Sequence, residues 1–302
     1  MALCLDGLGV ALATPFNDDF SIDYKALEAL IDYQLDNGAD FLVVLGTTGE
    51  TVTLTDSERH ELARFVADRV KARVPLILGM SGNSTSHLIE TIMATDFSGY
   101  DGILSVVPYY NKPSQEGMRL HFEAVAKCSP LPVILYNVPG RTGANLDAAT
   151  TLRLAADFPG KIVAIKEASG RMGQIREILE KKPGDFVVLS GDDALTLPLM
   201  AMGAKGVISV IGNALPAEFG RVVQLCQEGK FVEASKLDRP LQPFYRALFA
   251  EGNPSGIKAL LAIKGMARDI LRLPLTPVSE TTRRHLSDAL VRLSQYAEAY
   301  AN

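Results

Sequence analysis

The chain has no tryptophan, and among its 302 residues only three are cysteines and four are histidines. Cys4, Cys128 and Cys226 are far apart, odd in number and without a CxxC partner, which argues against a disulfide framework and fits reduced thiols in a cytoplasmic protein. His60, His87, His121 and His285 show neither HxH nor HExxH spacing, so no dedicated metal site is expected. Basic residues are not in excess: 30 Lys and Arg against 35 Asp and Glu give a formal net charge of −5. A nucleic-acid surface usually shows a basic stripe and is not expected here. No apolar run approaches the roughly 20 residues that span a bilayer. The opening MALCLDGLGVALATPF lacks a basic n-region and is interrupted by Asp6, so no signal peptide is expected. No GxGxxG follows the first strand-like run, which disfavours an open dinucleotide-binding sheet.

What the chain does have is alternation. Runs rich in Val, Ile and Leu recur at 8–16, 41–46, 75–80, 102–108, 131–139, 161–169, 186–192 and 206–212. Between them lie segments with apolar residues at three- and four-residue spacing, such as IDYKALEALIDYQLDNG (22–38), whose Asn-Gly is a helix stop. Strands alternating with helices predict a parallel sheet, and near-continuous apolar strands predict burial on both faces. Eight such units predict a (β/α)8 TIM barrel over 1–229. The remaining 230–302 read as a C-terminal appendage of three helical pieces, 231–249, 255–270 and 279–299, punctuated by Asn253-Pro254 and Leu273-Pro274.

Barrel active sites sit at the C-terminal ends of the strands, so those ends carry the functional reading. IVAIKEAS (162–169) places Lys166 inside an apolar run with no obvious route to water. Burying an unpaired ammonium is costly, whereas a sequestered amine is the nucleophile that forms an imine with a carbonyl. The alternative is a strand-end lysine paired with Glu167 or another carboxylate, although alternation turns Glu167 to the opposite face. Tyr136 ends the preceding strand, where a phenol can shuttle protons or simply fill the core. GTTGE (46–50) offers hydroxyls and backbone N–H groups that suit a carboxylate or a plain tight turn. Arg141 is a bidentate fork for a second carboxylate, or a surface loop arginine. SGDD (190–193) allows a phosphate cradle as a competing reading, weakened by its two aspartates. A catalytically dead barrel acting as a binding module is a third. The convergence of amine, phenol, hydroxyls and guanidinium on one face suggests imine chemistry on small carboxylated carbonyl compounds.

GTTGE, PYYNKPSQEG, YNVPGRTG, IKEASG, SGDD and GVISV, in this order, resemble the dihydrodipicolinate synthase / N-acetylneuraminate lyase family over essentially the whole chain. The resemblance implies that Lys166 forms an imine with pyruvate and that Tyr136 moves protons. It implies that Thr48 links Tyr136 to Tyr110, a tyrosine reaching in from a neighbouring subunit of a homotetramer built as a dimer of dimers. It further implies that Thr47 and Thr48 bind the pyruvate carboxylate and Arg141 that of L-aspartate 4-semialdehyde. Backbone groups of Gly191 and Ile208 line the pocket, and no metal or organic cofactor takes part. Within the family, Thr47-Thr48 and Arg141-Thr142-Gly143 favour the semialdehyde-condensing branch over N-acetylneuraminate lyases, with 2-keto-3-deoxy sugar acid aldolases as the alternative. Members inhibited by lysine use residues matching Asn83 and Tyr109 and an acidic residue where His87 stands. Asp56 and Arg59 stand where sensitive members have histidines. Weak or absent lysine feedback is the resulting expectation.

Overall fold

The structure, a computed structural model, describes residues 3–301; residues 1, 2 and 302 lie outside the described residues. Eight parallel strands close into a barrel in sequence order: β1 (Gly7–Ala11), β2 (Phe41–Val44), β3 (Leu76–Gly79), β4 (Gly102–Val106), β5 (Val133–Asn137), β6 (Ile162–Glu167), β7 (Val187–Ser190) and β8 (Gly206–Ser209). The connections carry α1 (Tyr24–Asp36), α2 (Asp56–Val70), α3 (Thr85–Ala94), α4 (Gln115–Cys128), the short α5 (Pro139–Thr142), α6 (Ala148–Asp157), α7 (Met172–Lys181), α8 (Thr196–Ala201) and α9 (Pro216–Gln227). The TIM barrel expected from the alternating runs is what the chain forms.

Local signals set the helix ends. Thr55 caps α2 through a reciprocal box with Glu58: the Thr55 hydroxyl accepts from Glu58 N, and the Glu58 carboxylate accepts from Thr55 N. α1 stops at Asn37, followed by Gly38 at φ +82°, as the Asn-Gly signal predicted.

Strand alternation divides the core in two. Phe41, Val43, Ile77, Leu104, Ile134, Ala164, Leu189 and Ile208 fill the barrel interior, while Leu42, Val44, Leu78, Leu135, Ile165 and Val188 pack outward beneath the helices. Residues two apart share a face, so Lys166 follows Ala164 inward and Glu167 follows Ile165 outward. That periodicity aims the lysine up the barrel axis.

The C-terminal segment differs from the three pieces read in the sequence. Its first piece is split into α10 (Phe231–Asp238) and α11 (Gln242–Phe249) by a 3₁₀ turn at Arg239–Leu241. Pro240 has no N–H to continue the α-helical ladder, and Pro243 sits acceptably in the first turn of α11. The second piece, α12 (Ser255–Ile263), ends before 270 because Gly265 takes φ +70°. Met266 N donates to Leu261 O at 2.9 Å and Gly265 N to Ala262 O at 3.0 Å, the paired bonds that close a helix on a left-handed glycine. α13 (Glu280–Ala301) is the third piece. α10 packs on α9, while α11, α12 and α13 pack together, with α11 and α12 also against the turn that follows β8.

Candidate active site

β5 and β6 place the two central groups side by side. Their register pairs Tyr136 with Lys166, so both side chains leave the barrel at the same level and on the same face. The Lys166 Nζ lies 4.4 Å from the centroid of the Tyr136 ring, and the two residues are only 5% and 6% exposed. Among the described residues no carboxylate is within ion-pair distance of Lys166. Glu167 is accounted for on the other face: it accepts from Ser169 N at 2.8 Å, from Asn137 Nδ2 at 3.2 Å and from Gln174 Nε2 at 3.2 Å. Burial pushes its carboxyl upward, opposed by those hydrogen bonds.

Gly191 follows β7 and closes against the lysine stem. A Cβ there would stand 2.7 Å from the Ala168 Cβ and 3.1 Å from the Lys166 Cγ, so the close approach requires glycine. Its N–H donates to Glu167 O at 2.8 Å. Ile208, on β8, points into the barrel interior beside them.

The Gly-Thr-Thr turn after β2 forms a 3₁₀ turn over Thr47–Gly49. Thr47 is half-buried and Thr48 buried. The Thr48 Oγ1 accepts from Asn253 Nδ2 at 3.1 Å, and no hydrogen bond joins it to Tyr136 or Tyr110 among the described residues. Arg141 is carried by α5 and is exposed; its Nη2 donates to the Asn253 backbone carbonyl at 3.0 Å. Tyr110, in the loop after β4, has its N–H on Thr142 O at 3.3 Å and is 89% exposed. One chain therefore gathers Lys166, Tyr136, Thr47, Thr48, Gly191, Ile208 and Arg141 at one end of the barrel, with Tyr110 on a loop at the same end and largely exposed.

Sequence reasoning passed over Asn253, treating it as punctuation beside Pro254. It is buried, ties Thr48 to Arg141, and its Oδ1 has no hydrogen-bond partner among the described residues. The available signal was a polar residue beside a proline, which locally marks only a turn.

The strand-seven turn speaks against a phosphate cradle. Asp193 is buried, and its carboxylate accepts from Val210 N at 3.0 Å and Ile211 N at 2.8 Å, occupying the amides that a phosphate would need. Burial pushes the Asp193 carboxyl up to about 6, with those N–H groups pulling the other way. A carboxyl raised above its unfolded value favours the fold most when protonated, and that contribution is lost as pH rises through about 6. Replacing Asp193 by Asn should remove this dependence. The stability of wild type relative to Asp193→Asn is expected to decline by roughly 2–3 kcal/mol between pH 4 and pH 7. Urea unfolding of both proteins across that range measures it, and a constant difference would show that Asp193 titrates as an ordinary carboxylate.

Among the described residues no group of three or more His, Cys, Asp or Glu is placed to hold a metal ion. No helix of the described residues is long and apolar enough to cross a membrane.

Residues 4–293 match the dihydrodipicolinate synthetase family. The chain belongs to that family. A 4-hydroxy-tetrahydrodipicolinate synthase of Phocaeicola vulgatus is 52% identical over 278 residues, covering 92% of this chain and 93% of that one. The structure of the 4-hydroxy-tetrahydrodipicolinate synthase from Methylacidiphilum fumariolicum SolV superposes with a TM-score of 0.94 at 40% identity, covering 98% of both chains. The dihydrodipicolinate synthase of Acinetobacter baumannii, solved in complex with pyruvate, gives a TM-score of 0.93 at 37% identity, covering 96% of this chain and 99% of that one. Membership in the dihydrodipicolinate synthetase family thus extends across the barrel and the C-terminal helices alike.

Proposed function

We propose that the protein is a 4-hydroxy-tetrahydrodipicolinate synthase that condenses pyruvate with L-aspartate 4-semialdehyde, in the cytoplasm, on the route to diaminopimelate and lysine. The observation that carries the reading is Lys166: a buried amine with no carboxylate partner among the described residues, 4.4 Å from the ring of a buried tyrosine, in a chain half identical to enzymes of that name.

Lys166 Nζ attacks the pyruvate carbonyl carbon, and loss of water gives the imine. Loss of a methyl proton turns the imine into an enamine, whose carbon attacks the aldehyde and leaves a hydroxyl there. The amine of the second substrate then adds to the imine carbon, closes the ring and releases Lys166. Tyr136 is the proton carrier, since it is the phenol whose ring lies 4.4 Å from the amine. Thr47 and Thr48 hold the pyruvate carboxylate, with backbone groups of Gly191 and Ile208 lining the pocket. Arg141 leaves the Asn253 carbonyl to take the carboxylate of the semialdehyde, a charged acceptor that a guanidinium prefers to a neutral one. Tyr110, exposed in the single chain, completes the proton path from a second subunit, within a homotetramer built as a dimer of dimers. In this reading catalysis belongs to the barrel domain, 1–229, and the C-terminal segment, 230–302, contributes Asn253, which contacts Thr48 and Arg141.

The test supplies purified protein with pyruvate and either L-aspartate 4-semialdehyde, N-acetylmannosamine or a sugar-derived aldehyde. Cyclised product from the semialdehyde alone supports the synthase. Turnover confined to the sugar aldehydes would assign the site to an N-acetylneuraminate lyase or a 2-keto-3-deoxy sugar acid aldolase instead.

Feedback by lysine is expected to be weak or absent. His87 lies in the first turn of α3, largely exposed, with Asn83 and Tyr109 on the neighbouring loops. It supplies no fixed negative charge for a lysine ammonium. Inhibition by lysine that is strong below about a millimolar would contradict this.

A further inference from the structure

We infer that the buried ion pair between Glu50 and Lys258 is a positioning device for the Gly-Thr-Thr turn, so that the C-terminal segment sets the geometry of the pyruvate subsite. The inference rests on the reading of that subsite given above.

Glu50 ends the turn in a left-handed conformation, φ +52° and ψ +34°, which is uncommon for a residue other than glycine. Its carboxylate is fully buried, and so is the Lys258 ammonium that it faces. The other carboxylate oxygen accepts from Arg272 N at 3.1 Å. Lys258 Nζ in turn donates to Ile270 O at 2.8 Å and lies 4.0 Å from the Phe16 ring centroid. Removing two such charges from water costs about as much as their attraction returns, so a buried pair is weak evidence for stability as such. What it does supply is direction: the GTTGE turn, α12 and the 270–272 loop meet at one carboxylate.

A second tie runs parallel to the first. Asn253 and Lys258 lie on one short stretch, and Thr48 and Glu50 lie on one turn. Asn253 Nδ2 donates to Thr48 Oγ1 at 3.1 Å, which leaves the Thr48 hydroxyl proton free for another acceptor. With the Glu50–Lys258 pair holding the two segments together, the Thr48 hydroxyl is positioned to donate to a carboxylate seated over the turn. Neither Glu50 nor Lys258 has a hydrogen bond or ion pair with Lys166, so both act through Thr47 and Thr48 and not on the reacting atoms.

Two variants of the full chain test this. Glu50→Asp keeps the charge, draws the carboxylate back by one methylene and tolerates a left-handed backbone better than Glu. The double variant Glu50→Gln/Lys258→Met removes both charges and leaves no lone buried ion. Each is treated with graded pyruvate and borohydride, the adduct on Lys166 is quantified by mass, and thermal unfolding is recorded in parallel. The expected result is a rise of about ten-fold or more in the half-saturating pyruvate concentration, with trapping at saturation little changed. Folded variants that trap pyruvate at the wild-type concentration overturn the inference, whether or not their unfolding temperature has dropped. Wild type that traps no pyruvate on Lys166 overturns the reading of the site itself, and this inference with it.

Discussion

Replacing Lys166 by methionine should lower kcat/KM for the condensation by on the order of 10⁴-fold or more, the scale on which enzymes respond to loss of a covalent nucleophile. Methionine keeps an unbranched side chain of similar volume but removes the amine, so the pocket stays filled while the imine cannot form. The same substitution should leave thermal stability unchanged or raise it. Lys166 is 5% exposed, and among the described residues it has no carboxylate partner, so methionine breaks no ion pair and keeps the space filled. Most core substitutions lower activity and stability together. Here the two are expected to part: activity lost, unfolding temperature kept. Steady-state kinetics and calorimetry on the same preparation measure both. A large drop in unfolding temperature would mean that Lys166 is a structural group.

Tyr136→Phe should reduce kcat by roughly 10²- to 10⁴-fold, the usual yield of a positioned general acid-base. The ring lies 4.4 Å from Lys166 Nζ and forms part of the barrel interior, and phenylalanine keeps that ring and its packing. The loss therefore isolates the hydroxyl. Half-saturation by pyruvate should move only a few-fold, because the carboxylate contacts assigned to Thr47 and Thr48 are untouched. Pyruvate should still become trapped on Lys166, only more slowly. A kcat within a few-fold of wild type would remove Tyr136 from the chemistry and leave it as a packing residue.

Much of the barrel was legible because its causes are local. Strands buried on both faces are mostly apolar, and β2, β4, β5, β6 and β8 are, apart from Ser105, Tyr136-Asn137, Lys166-Glu167 and Ser209. Within β6 the period of two was enough to send Lys166 inward with Ala164 and Glu167 outward. The partners of Glu167 were not legible: Gln174 comes from the next helix and Asn137 from the neighbouring strand, and nothing in IVAIKEAS names them. Helix ends in the C-terminal segment were misread where one residue decided them, at Pro240 and at Gly265. Long-range ties were out of reach altogether. Asn253 meets Thr48 across 205 residues, and a sequence window around either shows only a polar residue in a turn. Tyr110 marks a different limit: it is 89% exposed in the single chain, and the role proposed for it lies in a second subunit.

The most direct test of the central claim is chemical. The protein is incubated with pyruvate, reduced with borohydride, digested and mapped by mass spectrometry, beside Lys166→Met treated identically. The account predicts one stable adduct, on the peptide carrying Lys166, and none in the variant. An unmodified Lys166, or an adduct that persists in the variant, would contradict it.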